Sequence, residues 1–159
     1  MGQYGQGVIT TVIPTYRRPR MLARAIESVL AQTERQIQVC VYDNASGDET
    51  AATVEGIARR DPRVRYYRHD RNIGLTANFM FGAARIDTPF FSFLSDDDWL
   101  LPGFYEAALR ALEPHDEAIF AATRVADADE RGRLRQIVDR HGSTAPSLSP
   151  ITPPGADAF

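Results

Sequence analysis

Val8-Ile9-Thr10-Thr11-Val12-Ile13, closed by Pro14, is β-branched throughout and carries no polar alternation. A short run of that kind predicts a strand buried on both faces, as in a parallel sheet covered by helices. From Pro19 the period changes: Met21, Leu22, Ala25, Ile26, Val29 and Leu30 recur at helical spacing, with charged residues on the other face. The unit then repeats. Ile37 to Tyr42 is a second apolar run, ended by the turn residues Asp43-Asn44-Ala45-Ser46-Gly47-Asp48 and followed by a helical stretch from about Glu49 to Arg60. Val64 to Arg68 makes a third strand, which leads through Asn72-Ile73-Gly74 into a helix from about Leu75 to Arg85. Phe90 to Leu94 makes a fourth. Strands alternating with helices in this way predict an α/β fold, with ligands bound beyond the carboxyl ends of the parallel strands.

Beyond Asp98, Leu101 to Leu112 reads as a helix, Ala118 to Val125 as a fifth strand, and Leu134 to Val138 as a short strand or helix. Residues 143–159 hold four of the ten prolines and read as a Pro/Ser-rich loop or linker, and residues 1–7 as a flexible N-terminus. Residues 8–142 are left as one domain, which suits a chain of 159 residues with 43% hydrophobic and 25% charged residues. A net charge of −3 implies no nucleic-acid partner. No apolar run approaches the about 18 residues of a membrane segment. The single cysteine, Cys40, offers neither a disulfide nor a thiolate metal site and fits a reducing cytoplasm. All 18 basic residues are arginine, which excludes lysine-dependent chemistry such as a Walker phosphate loop or a pyridoxal Schiff base.

The polar clusters fall at the strand ends. Asp96, Asp97 and Asp98 follow the fourth strand, so three carboxylates crowd where the sheet opens its crevice. A hard divalent cation relieves that repulsion, taking one or two carboxylates and completing its shell with water and phosphate oxygens. The plainer alternative is an acidic turn in which Asp96 or Asp98 caps the following helix. Asp43 to Asp48 offers carboxylate and amide groups to a base or ribose, or caps its own helix. Arg71 to Asn78 places amides and a glycine at a helix start, where free N–H groups meet anionic oxygen. Tyr16 brings an aromatic ring, while Arg17 and Arg18 read equally as surface charges. His69, His115 and His141 lack metal-ligand spacing and suit solvated loops, and Trp99 suits packing. Four clusters ending four successive strands point to one shared crevice.

Taken in order, Val12-Ile13-Pro14-Thr15-Tyr16, Asp43-Asn44-Ala45-Ser46-Gly47-Asp48, Asn72-Ile73-Gly74 with Asn78, and Leu94-Ser95-Asp96-Asp97-Asp98-Trp99 resemble family 2 glycosyltransferases of the GT-A fold over about residues 8 to 125. The resemblance implies a Rossmann-like three-layer α/β/α sandwich with a mostly parallel central sheet, incomplete at its C-terminal end, in which 8–142 is a nucleotide-sugar-binding domain. It implies inverting transfer of a sugar from a nucleoside diphosphate donor, usually a UDP-sugar, to a hydroxyl of an acceptor saccharide, lipid or small molecule, with Mn²⁺ or Mg²⁺ as cofactor. By that resemblance Pro14, Thr15 and Tyr16 form the first nucleoside-contacting loop and Asp43 binds the base. Asn72, Gly74 and Asn78 line the nucleotide pocket. Asp96 faces the ribose, and Asp97, with Asp98 as second choice, holds the metal. The chain departs from the family in two respects. Ser95 stands where many relatives carry the first Asp of the DxD motif, and the general base, an acid well beyond the triplet, has no counterpart. The alternative is therefore a nucleotide-sugar-binding module without transfer activity.

Overall fold

The computed structural model of the chain describes residues 9–115, 117–121, 125–129 and 133–138. The elements run β1 (Ile9–Thr15), α1 (Pro19–Leu30), β2 (Ile37–Asp43), α2 (Thr50–Ala58), β3 (Val64–Arg68), α3 (Leu75–Ala83), β4 (Phe90–Phe93), α4 (Phe104–Leu112), β5 (Val125–Ala128) and β6 (Leu134–Val138). They fall into two compact units, one reaching Gly103 and the other beginning at Phe104.

In the first unit four parallel strands lie in the order β3-β2-β1-β4. The β-branched run of β1 sits between two neighbours and is buried at every position, as its composition predicts. Strand alternation divides its side chains. Val12 joins Cys40 and Tyr42 on one face, where Phe81 of α3 and Ile86 pack on them. Ile13, Val39 and Val41 point to the opposite face and are fully buried. Leu22, Ala25, Ile26 and Val29 form the buried stripe of α1, at i, i+3, i+4 and i+7, and Val54 and Ile57 that of α2. The helix α3 approaches the sheet through Gly82. A Cβ there would lie 2.7 Å from Val12 Cγ1 and 2.9 Å from the Tyr42 ring, so only glycine permits this packing distance.

Three sequence expectations need correction. Pro14 does not end the first strand, which runs on to Thr15 with Pro14 opposite Tyr42. The Val12 carbonyl accepts from Leu94 N on the β4 side, and the Thr15 carbonyl accepts from Asn44 N on the β2 side. By alternation the Pro14 nitrogen faces β4, whose pairing has already ended at Phe93, so its missing donor costs no ladder bond. The fourth helix begins at Phe104, not Leu101, because Gly103 adopts φ +77°. The fifth strand is not Ala118 to Val125. Residues 118–121 are irregular, with Ile119 92% and Phe120 68% exposed, 122–124 lie outside the described residues, and Val125 pairs with Val138. Leu134 to Val138 is a strand, antiparallel to β5, with a bulge at Asp127/Ala128 and an ion pair of 2.8 Å between Asp129, next after β5, and Arg133, next before β6. Residues 1–7 and 143–159 lie outside the described residues. No described helix is long and apolar enough to cross a membrane.

The turn into β3 is held by one carboxylate. Asp61 accepts from Arg63 N, Nε and Nη2, at 3.0, 3.0 and 2.7 Å, and Arg63 Nη2 also donates to the Leu30 carbonyl at the end of α1. These bonds, the Arg63 side chain's first, hold the Asp61 carboxyl below its ordinary value against the opposing effect of burial. A depressed folded value adds stability above the unfolded value near about 3.9, and that stability is lost as pH falls through the folded value. Asp61→Asn should therefore lower stability at pH 7 by about 1 kcal/mol. Its gap to wild type should shrink at pH 3 when both are unfolded in urea, and a gap of equal size at both pH values would contradict this role.

Candidate functional site

The four strand ends converge. Thr15, at the end of β1, donates from Oγ1 to Asp96 Oδ2 at 2.7 Å, joining positions 81 residues apart, and Tyr16 N lies 3.4 Å from the same oxygen. These contacts follow from topology: β4 lies beside β1, so the acidic run leaves the sheet next to the β1 loop. Asp96 is buried, and Asp97 is partly exposed beside it.

Arg18 faces both. Its Nη1 donates to Asp96 Oδ1 at 3.1 Å and to Asp97 Oδ2 at 2.5 Å, while the side chain remains 49% exposed. The remaining Asp97 oxygen, Oδ1, accepts from Ser95 Oγ at 2.5 Å. That hydroxyl, followed by the charge of Arg18, holds the Asp97 carboxyl below its ordinary range, whereas reduced hydration and the charge of Asp97 push Asp98 up. Arg18 thus pairs with Asp96 and Asp97, and Asp98 is exposed beside them. The helix-cap alternative for the triplet is not seen, since α4 starts at Phe104. Trp99 packs, lying under the Arg24 guanidinium of α1 at 3.9 Å from the ring centroid.

On the other side of β1, Asp43 closes β2 at 1% exposure. Its Oδ1 accepts from Ser46 N (2.9 Å) and Ser46 Oγ (2.5 Å), and its Oδ2 from the Tyr66 hydroxyl (2.6 Å). Burial, then the bond to Asp43, raises the Tyr66 pKa and keeps the phenol protonated as donor. Ser46 in turn accepts Arg17 N at Oγ (2.8 Å) and Arg17 Nε at its carbonyl (3.0 Å), locking the first loop to the second. Both loops hold a non-glycine residue in the left-handed region, Arg17 at φ +59° and Ala45 at φ +63°. Asp48 caps the backbone of Thr50 at 2.9 Å, and Gly47 supplies a turn at φ +70°.

The third loop joins through amides. Asn44 Nδ2 donates to Asn72 Oδ1 (3.1 Å), Asn44 Oδ1 accepts from Ile73 N (2.8 Å), and Asn72 Oδ1 also accepts from Gly74 N (2.9 Å). Gly74 stands at the start of α3 with φ +88°, a conformation only glycine takes without strain. Asn78 lies beneath this loop in the core. Its Nδ2 donates to the Tyr42 carbonyl (2.8 Å) and its Oδ1 faces His69 Nε2 (2.9 Å). His69 is accordingly buried against Tyr67 and Phe81, not solvated, because Asn78 gives it a polar partner inside an aromatic cluster. His115 is exposed, and His141 lies outside the described residues.

Pro14, Thr15, Tyr16, Asp43, Asn72, Gly74, Asp96, Asp97 and Asp98 therefore gather at one edge of one sheet. Tyr16 presents its ring at 39% exposure, while Asp43 and Asn78 are buried supports beneath the rim. Reading residues singly missed Arg17, Arg18, Asn44 and Ser46, which make the connections between loops. The available signal was their place at strand ends that share an edge. Among the described residues no three His, Cys, Asp or Glu side chains are arranged to hold an ion alone. The donor set nevertheless fits a hard cation that takes the rest of its shell from phosphate and water, since two carboxylate oxygens already converge on one cationic nitrogen.

The family model described as glycosyl transferase family 2 matches residues 10–150. An uncharacterized glycosyltransferase of Rickettsia felis is 30% identical over 130 residues, 82% of this chain and 21% of the relative, so the chain spans about a fifth of that protein's length. Among solved structures, S. aureus TarS 1-349 in complex with UDP-GlcNAc superposes with a TM-score of 0.63 at 20% identity, covering 67% of this chain and 31% of that one. Mannosyltransferase PcManGT from Pyrobaculum calidifontis, in complex with GDP-Man and Mn²⁺, gives 0.67 at 18%, covering 77% and 36%. These likenesses show the Rossmann-like α/β fold of GT-A enzymes expected from the sequence.

Proposed function

The chain belongs to glycosyl transferase family 2, and from that membership we propose that its strand-end crevice binds a nucleoside diphosphate sugar, a UDP-sugar in the first instance, together with Mn²⁺ or Mg²⁺. The proposed reaction is inverting transfer of the sugar to a hydroxyl of an acceptor saccharide, lipid or small molecule. The observation that carries this reading is the pair Asp96 Oδ1 and Asp97 Oδ2, turned toward a single cationic nitrogen. A divalent ion bound there would offset negative charge on the departing diphosphate.

The chain's own residues divide the remaining work. Thr15 holds Asp96 and Ser95 holds Asp97 so that each turns its other oxygen toward the metal position, and Ser95 serves beside the ligand rather than as one. The exposed Tyr16 ring offers a face to the base, and Pro14 stands two residues before it in β1. Asp43 stands at the base end, where its bonds to Ser46 and Tyr66 support a role in fixing the loop that meets the base. Asn72 and Gly74 shape the opposite wall, and Asn78 anchors that wall to β2. These assignments concern the donor half of the reaction and include no general base.

Calorimetry tests the reading directly. UDP-N-acetylglucosamine and UDP should bind in the presence of Mn²⁺ and lose at least about a hundredfold in affinity in EDTA, about 2.7 kcal/mol. Absence of binding by either compound in Mn²⁺ would refute the site.

A further inference from the structure

Every outward oxygen of the acidic pair already has a cation. Asp96 Oδ2 is held by Thr15 and Asp97 Oδ1 by Ser95, which leaves Asp96 Oδ1 and Asp97 Oδ2, and Arg18 Nη1 takes both. The two anchoring hydroxyls are short side chains at strand ends. Arg18 differs from them in reach and freedom. Its backbone is fixed next to Arg17, itself tied to Ser46, and at the mouth of α1, while its long side chain is half exposed. The guanidinium can therefore leave the carboxylates for solvent or for a nearby anion without moving the loop.

We propose that Arg18 is a displaceable internal counter-cation: it neutralises Asp96 and Asp97 when the crevice is empty, and a divalent ion enters only by displacing it. This deepens the donor-and-metal reading above and rests on it. Two consequences follow from charge alone. Metal binding without nucleotide is weakened, because the ion must first break two charge-assisted hydrogen bonds. A diphosphate compensates, because it offers the released guanidinium a new anionic partner of suitable geometry. Metal and nucleotide then bind cooperatively, each raising the affinity of the other by the same factor.

The experiment measures Mn²⁺ binding by the loss of free-ion electron paramagnetic resonance signal, with Mn²⁺ alone and with Mn²⁺ plus UDP. Arg18→Met keeps the apolar stem and removes the charge. It should bind Mn²⁺ alone about tenfold more tightly than wild type, while the factor by which UDP strengthens Mn²⁺ binding falls by about tenfold and stays above one, because phosphate oxygens still complete the ion's shell. Arg18→Lys keeps the charge without the fork and should lie between, and metal-free thermal unfolding reports whether each variant is folded. Equal or weaker Mn²⁺ binding by a folded Arg18→Met variant, with wild-type binding intact and lost in Asp97→Ala, overturns the counter-cation role alone. If wild type binds no Mn²⁺ even with UDP, both this role and the donor-and-metal reading fall.

Discussion

Asp97→Ala should abolish most of the metal-dependent affinity for UDP, a loss of at least about a hundredfold, because even residues that only orient a metal ligand cost about 10- to 100-fold when removed. Two features concentrate this effect on Asp97. Its Oδ2 is turned toward the shared cation position, and its carboxyl is held below the ordinary range by Ser95 and then Arg18, which favours the anion that a metal needs. Asp98 is pushed the other way by reduced hydration and the charge of Asp97. Asp98→Ala should therefore cost less than about tenfold, or under about 1.4 kcal/mol. Calorimetric titration of UDP into each variant in Mn²⁺ and in EDTA separates the two residues. In EDTA, Asp97→Ala and wild type should differ little, because the lost term is the one carried by metal. The opposite ranking of the two variants would move the metal to Asp98.

The second large effect falls on the fold as well as on binding. Asp43→Ala leaves Ser46 N, Ser46 Oγ and the Tyr66 hydroxyl without their acceptor in a site that is 1% exposed. Hydrogen bonds to a charged group contribute about 1.5–3 kcal/mol each, and their loss is only partly shared when they fail together, so about 3–5 kcal/mol of destabilisation is expected. For a unit of this size that lowers the unfolding midpoint by more than about 10 °C. Binding falls in step, since Ser46 is also what locks Arg17 and the first loop in place. Asp43→Asn provides the finer measurement. Its carbonyl oxygen still accepts from Ser46 and its amide faces Tyr66, so much of the stability should return. UDP affinity recovering with stability identifies Asp43 as the support of the loop, whereas affinity that stays low in a stable protein identifies a direct contact with the base.

The contrast between Asp97 and Asp43 shows where residue-by-residue reading reaches its limit. Both stood out as carboxylates at strand ends, and the ordered motifs assigned both to the ligand. Nothing in a linear sequence tells whether a carboxylate at such a place points outward or is enclosed by its own loop. That depends on Ser46 three residues ahead and on Tyr66 from a neighbouring strand. Asn78 is a similar case, drawn into the core by His69 and the Tyr42 carbonyl.

What the sequence determined by itself is the alternation. Runs such as Val8 to Ile13 and Ile37 to Tyr42 have too few polar positions for anything but strands covered on both faces, and the helical stripe from Leu22 to Val29 must cover one of them. Periodicity also placed every polar cluster at a strand end, because those clusters interrupt the apolar runs, and the ordered motifs carried the family. Only the tertiary structure decided which ends meet. The order β3-β2-β1-β4 puts Thr15 beside Asp96 and Arg17 beside Ser46, contacts between residues 81 and 29 apart that no local pattern encodes. It also turned Arg18 from a surface charge into the partner of two carboxylates, since a charge acts through distance in space and not through position in the chain.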